Sequence, residues 1–432
     1  MSIDKISQPE ILVRVDFYDP EEKAKLLQYP GDAVEAMKKL VASPVAVPTS
    51  EFLTYFLFHR MARGLPGYES IDQIRNDLSR ATSYIDSCIE FDGNSIRLPS
   101  ATAKLPKDII EHVGEAVGLA VASRIHGLIE ADWVSLAVKK HPLNKSLLPS
   151  FDFQASDAKL LVQCAPLVQL ETKGSAVEDN SKKESNVSKH KAGIHKKKAD
   201  LATLPADKHD PYPAAVRYGT VTALDAGTHD LVRCWLVDPD PEDGEWEPRR
   251  FKLLARMGFL SKWISIVSPR SQLASALATR VNDMGKLSNP FELDGIPLLR
   301  GNGEPFAYPT TSPFSPHSTF FGNKTRVTDG PAGGIAVQVS SSELAFLGIR
   351  QDLVDMAASQ RFDDLLAYEA PAGTREKTLE FVFHENRFRT LQLPREIAES
   401  ASRSGTYRRF TLEGSTQYNR SGLVFGFFGL HG

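Results

Sequence analysis

The chain has 432 residues, 41% hydrophobic and 24% charged, a balance that suits two or three globular domains and excludes a disordered or fibrous protein. Its formal charge of −3 excludes a polycation, so any affinity for nucleic acid must come from a local basic patch. Cys88, Cys164 and Cys234 are too scattered for a zinc site or a disulfide framework, and no apolar run reaches the ~20 residues of a membrane span, so a cytoplasmic location with no membrane partner is expected.

The first hundred residues predict one strand, ILVRVDFYD, among helices: GDAVEAMKKLVAS, SEFLTYFLFHRMARG and, over 70–89, SIDQIRNDLSRATSYIDSCI. EFDGNSIRLP reads as a hairpin turning at Asp92-Gly93. A long helix follows from about Lys107 to Ile129. Ile110, Val113, Val117, Val121, Ile125 and Leu128 form its apolar stripe, and Glu111, Glu115, Gly118 and Ala122 form a second line about 100° round the wheel. Gly114 and Gly118 would let another element approach closely.

Beyond Trp133 the chain becomes extended. SFDFQAS alternates Phe151 and Phe153 with Asp152 and Gln154, KLLVQCAP (159–166) suits either a strand or a helical turn, and LVQLETKGS is a strand stopped by Gly174. Residues 175–200 begin as a polar loop and then predict a basic helix with Val187, Lys191, Ile194 and Lys198 on one side. RYGTVTAL and LVRCWLVDP add two strands. From Glu247 the pattern is helical to about residue 285, followed by a Pro/Gly/Ser/Phe-rich stretch to about 334. The C-terminal hundred residues predict a helix over SSSELAFLGIRQDLVDMAASQ and strands at TLEFVFHE, YRRFTLEG and SGLVFGFF. The expected division is a mainly helical region 1–100, an α/β core 101–245 and an α+β region 246–432.

One segment carries chemistry. Because a strand has period two, Gln169, Glu171 and Lys173 share a face of LVQLETKGS while Val168, Leu170 and Thr172 share the other. Asp152 precedes Glu171 by enough chain for the two strands to turn and pair. Two converging carboxylates repel unless a cation sits between them, and a hard divalent ion with oxygen ligands, Mg²⁺ or Mn²⁺, is the usual solution. Such an ion activates water and neutralises charge on a phosphodiester. Lys173 would orient the water or hold a phosphoryl oxygen.

These residues resemble the PD-(D/E)XK nuclease superfamily, in which an aspartate and an E-x-K-G segment follow an acid-bearing helix. The resemblance spans roughly residues 105–240. It implies a restriction-endonuclease-like mixed-sheet core flanked by helices, with Asp152 and Glu171 as metal ligands, Lys173 as the catalytic lysine and Glu111 as an additional catalytic and metal-binding acid, Glu115 competing for that place. The family's proline stands here at Pro149, three positions before Asp152, so Asp157 is the alternative ligand and Gln169 a further candidate on the same face. The basic segment, through Lys189, Lys191, Lys196, Lys197 and Lys198, would contact the nucleic-acid backbone, with His195 and Lys191 as an alternative supporting pair.

The functional expectation is a Mg²⁺-dependent endonuclease acting on DNA, with RNA as the second substrate and bacterial restriction or anti-phage defence as the setting the resemblance implies. The alternative is a noncutting nucleic-acid-binding or scaffold protein of the same fold. Recruitment of a protein partner by the C-terminal region and assembly into a homo-oligomer stay open.

Overall fold

The computed structural model describes residues 10–28, 32–59, 76, 88–99, 107–136, 149–156, 167–204, 216–228, 231–237, 248–267, 272–306, 325–327, 332–389 and 391–430. Apart from positions 76, 88 and 89, the helix expected over 70–89 lies outside them, as does the 159–166 segment. The protein is mixed α/β and falls into two compact units, Ile6–Leu65 with Tyr84–Lys252, and chiefly Leu253–Gly432.

In the first unit, β1 (Glu10–Phe17) buries Ile11, Val13 and Val15 at alternate positions. Asp19 then caps α1 (Pro20–Leu26), its carboxylate accepting the Glu22 N–H at 2.9 Å, with Pro20 in the first turn, where no backbone donor is needed. α2 (Asp32–Ala42), β2 (Val45–Pro48) and α3 (Thr49–Thr54), which continues as a π-helical turn Tyr55–His59, follow. β3 (Glu90–Asp92) and β4 (Ser95–Arg97) form the expected hairpin, with Gly93 at φ +57° in the turn. Then come α4 (Lys107–His126), β5 (Val134–Ser135), β6 (Phe153–Ser156), β7 (Leu167–Ala176), α5 (Ser185–Ala202), β8 (Val216–Leu224) and β9 (Val232–Val237).

Seven strands of this unit form one sheet, β2-β1-β9-β8-β7-β6-β5, with β1 parallel to β9, β7 parallel to β8 and the other neighbours antiparallel. The structural division therefore differs from a boundary at residue 100, because β1 pairs with β9 through five residues and carries β2 into the same sheet. The sheet is covered on both faces. α4 lies on the side of Thr172, Gly174 and Thr220, and α5 on the opposite side, where Ile194 packs onto Gly219.

The α4 contact is unusually close. A Cβ on Gly114 would lie 2.4 Å from the Gly174 nitrogen, and one on Gly174 would lie 1.8 Å from the Ile110 carbonyl oxygen. Gly174 therefore does not end the strand, which runs on to Ala176. It is small because a helix backbone crosses it. Between Ile109 and Ile125, α4 is buried everywhere except at the exposed Glu111 and half-buried Arg124, so the expected single stripe understates its burial.

In the second unit, α6 (Pro248–Val267), within which the division falls, is followed by α7 (Gln272–Lys286), β10 (Thr325–Val327), β11 (Ala332–Ser340), β12 (Glu343–Arg350), α8 (Gln351–Ser359), α9 (Phe362–Ala367), β13 (Gly373–His384), α10 (Glu385–Phe388), α11 (Arg395–Ser400), β14 (Ser402–Ser404), β15 (Tyr407–Tyr418) and β16 (Leu423–Gly429). Every pairing is antiparallel. Since β13 bonds to both β10 and β15, the order β13-β10-β11-β12-β16-β15 closes on itself as a barrel, with β14 added along β15. The ring is closed through β10, β13 and β15 and so has no terminal strand among these six. Phe346, Phe381, Phe383, Phe410 and Phe428 fill the core, Phe381 meeting Phe428 edge to face at 4.8 Å. ELAFLGIR, expected as the start of a helix, is strand β12 because its apolar residues lie between β11 and β16.

Cys88 and Cys234 are buried free thiols, and burial pushes Cys234 up to about 12; Cys164 lies outside the described residues. No described helix is long and apolar enough to cross a membrane.

The crossing of α4 over β7 makes a stability prediction. Gly174→Ala should cost about 1–3 kcal/mol of unfolding free energy by urea titration, since backbone rather than a flexible side chain must give way. Gly193→Ala, on α5 where a Cβ meets nothing, should be neutral or stabilising by up to about 1 kcal/mol.

Candidate functional site

The alternation of β7 decides which residues meet. Thr172 and Gly174 turn towards α4, so Gln169, Glu171 and Lys173 turn towards α5. β6 runs antiparallel beside β7, its last ladder pair being Phe153 with Leu170. One residue earlier, Asp152 still donates its backbone N–H to the Leu170 carbonyl at 3.1 Å, while its Oδ2 accepts the Thr172 N–H at 3.1 Å and faces the Thr172 hydroxyl at 3.5 Å.

That arrangement brings Asp152, Glu171 and Lys173 together. Lys173 Nζ stands 2.5 Å from Glu171 Oε1 and 3.7 Å from Asp152 Oδ2, so both carboxylates reach one ammonium. Glu171 is only 1% exposed, whereas Asp152 and Lys173 are 19% and 29% exposed. Burial first, and then the charge of Asp152, raise the Glu171 carboxyl above the usual glutamate range, and the neighbouring ammoniums do not fully reverse this. For Lys173, burial would lower the ammonium, but Asp152 and Glu171, with a smaller contribution from Glu111, outweigh it and hold the group above its ordinary value.

A second cation completes the cluster. Lys197 Nζ donates to both Glu171 oxygens, at 2.5 and 2.6 Å. The inward stripe of α5 is Val187, His190, Ile194, Lys197 and Leu201 rather than the expected line through Lys191 and Lys198; Val187, Ile194 and Leu201 are buried. His190 lies on this stripe, half-buried, and burial followed by the charge of Lys173 holds its ring below the usual histidine value despite a hydrogen bond to the Gly174 backbone. Its imidazole is accordingly neutral at neutral pH. The sequence signal for both residues is the seven-residue spacing of Val187, Ile194 and Leu201, with His190 and Lys197 three places after the first two.

The other expected residues divide. Glu111 is exposed on the first turns of α4, near enough to contribute to the field at Lys173. Glu115 is buried in the packed part of α4. Asp157 lies outside the described residues. Gln169 is buried, its Oε1 accepting from Arg217 Nε at 2.9 Å and its Nε2 donating to Gln154 at 3.2 Å. Arg217 is fully buried. Among the described residues no group of three or more His, Cys, Asp or Glu side chains is placed to hold a metal ion.

The lysines of α5 are not one surface. Lys191 Nζ pairs with Asp19 at 2.6 Å and Glu22 at 2.9 Å and lies 4.7 Å from the Tyr18 ring centroid, and His195 Nε2 sits 2.7 Å from the same Glu22 oxygen. Both therefore tie α5 to α1, against the expectation of a phosphate contact or a role beside Lys173. Lys197 is committed to Glu171. Lys198 is half-buried. Lys189 and Lys196 remain exposed, Lys196 in a surface pair with Asp200 at 2.6 Å, which contributes little by itself.

No family model, curated protein or solved structure matches the chain.

The tie between α1 and α5 can be measured. Lys191→Met leaves the nearly inaccessible Glu22 with weaker compensation and should lower stability in urea by about 1–3 kcal/mol. Lys189→Met, on the exposed face, should stay within about 0.5 kcal/mol of the parent.

Proposed function

We propose that the first unit is a Mg²⁺-dependent nuclease acting on DNA, with the restriction-endonuclease-like fold and with its centre at Asp152, Glu171 and Lys173. The observation that carries this reading is the meeting of two carboxylates from adjacent strands at a single lysine ammonium. A helix, paired strands, a second helix and a strand parallel to β7 occur in the expected chain order around that point, which supports the same reading.

The donor set fits a hard ion. Two carboxylates supply oxygen ligands and leave room for several retained waters, as Mg²⁺ prefers. When bound, the ion supplies an activated water and positive charge against the scissile phosphate. Asp152 and Glu171 hold it. Lys173, at the edge of the cluster and fully protonated at neutral pH, orients the attacking water or a non-bridging phosphate oxygen and stabilises the charge that develops there. Glu111, exposed and near enough to act on Lys173, would serve as the auxiliary acid. Lys189 and Lys196 are the backbone-contacting lysines, because they alone among the five expected contacts keep an outward, accessible position on α5.

Cleavage is the direct test. The parent protein incubated with plasmid, single-stranded DNA and RNA should give products in Mg²⁺ or Mn²⁺ and none in chelator. Lys173→Ala and Asp152→Ala should slow the reaction by about a hundredfold or more while nucleic-acid binding persists. Binding without metal-dependent products would instead mark a noncutting protein.

A pH test follows from the raised Glu171 carboxyl. The ligand form is the carboxylate, so as pH is lowered Mn²⁺ affinity should start to fall before pH reaches 4.5, the ordinary glutamate value, because binding then displaces a proton from Glu171. Calorimetry in buffers of different protonation enthalpy reads that proton directly. An affinity that stays flat down to the ordinary value would contradict the assignment of Glu171.

A further inference from the structure

Glu171 cannot reach solvent, yet both of its oxygens are taken: Lys197 bridges the pair and Lys173 shares Oε1. Two carboxylates and two ammoniums make a neutral quartet. A divalent cation joining it would either displace Lys197 or leave two excess positive charges in a region from which water is largely excluded, and both are costly. The lysines differ from Glu171 in access. Lys173 is 29% exposed and Lys197 27%, against 1% for the carboxylate, so their ammoniums stand at the boundary between the buried acid and the outside. Each sits on a flexible four-carbon stem able to turn outwards.

We propose that Lys197, together with Lys173, is a charge lock that couples cation binding at Glu171 to the arrival of a nucleic-acid phosphate. Without phosphate, the two ammoniums neutralise Glu171 and disfavour the ion. A phosphodiester at the mouth of the site draws them outwards, which leaves Asp152 and Glu171 uncompensated and raises their affinity for the cation. Linkage makes the effect reciprocal: the cation must strengthen nucleic-acid binding by the same factor. The role of Lys197 is then positional and regulatory, quite apart from the outward lysines of α5. This inference rests on the nuclease reading.

The test is Mn²⁺ binding by calorimetry, with and without a phosphorothioate-backbone DNA oligonucleotide, on the folded full chain. The oligonucleotide should raise the parent's Mn²⁺ affinity about tenfold or more, within the usual span of coupled sites. Lys197→Met should bind Mn²⁺ more tightly than the parent when no DNA is present and gain less from DNA, while Lys197→Arg, which keeps the charge, should behave like the parent. If Lys197→Met does not melt cooperatively, Lys197→Gln replaces it and is read by the same criteria.

Equal Mn²⁺ affinity in parent and Lys197→Met without DNA, no gain from DNA in the parent, or the same gain in Glu171→Gln, would each overturn the lock. Magnesium-dependent cleavage persisting in the parent would then leave the nuclease reading intact. Absence of both Mn²⁺ binding and metal-dependent cleavage would remove both.

Discussion

A carboxylate enclosed between a sheet and a helix has to be neutralised where it stands, and Glu171 sets that condition for the first unit. Its charge is met by ammoniums from two different elements, Lys173 on its own strand and Lys197 on α5. Losing either would leave a buried charge short of compensation, which is far more costly than an exposed ion pair is beneficial. The orientation of α5 is thereby coupled to the centre. The same helix is held on its other side by Lys191 and His195 against Asp19 and Glu22, so charge fixes its rotation on both flanks while Val187 and Ile194 supply the apolar contact between them.

The two faces of β7 share the work. On one side, Thr172 and Gly174 admit the α4 backbone to a distance that no larger residue at 174 would allow; on the other, Glu171 and Lys173 form the polar cluster. Strand period two makes this separation unavoidable once the register is set. Close packing of α4 therefore helps to hold the strand that carries the charged residues, although most of α4 never touches them. Asp152 adds a further link, because its carboxylate bonds to the Thr172 backbone as well as approaching Lys173.

The second unit meets a different constraint. Its strands close into a barrel in which every neighbour is antiparallel, and its phenylalanines fill the interior. Arg256 shows how a charged group is accommodated there: buried, it donates from Nη1 to the carbonyls of Leu365, Leu366 and Tyr368 at the end of α9, at 2.6, 2.8 and 3.1 Å. That is a helix C-terminal cap made from a distant part of the chain. The chemistry proposed for this protein belongs wholly to the first unit.

Local pattern by itself determined the faces of LVQLETKGS, the hairpin near Gly93, the long helix α4 and the strands β8, β9, β13, β15 and β16, since each depends on the spacing of side chains along one segment. It also brought Asp152, Glu171 and Lys173 into one set of candidates. What it left undecided depends on neighbours far along the chain. Val187 and Ile194, seven apart, define the buried line of α5 but allow either flank to face the acids; only the packed sheet selects His190 and Lys197 towards β7 and sends Lys191 to α1. Gly174 looks like a strand stop until α4 is laid across it, and ELAFLGIR looks helical until β11 and β16 flank it. Periodicity specifies which residues share a face, whereas the partner that the face meets is a property of tertiary packing.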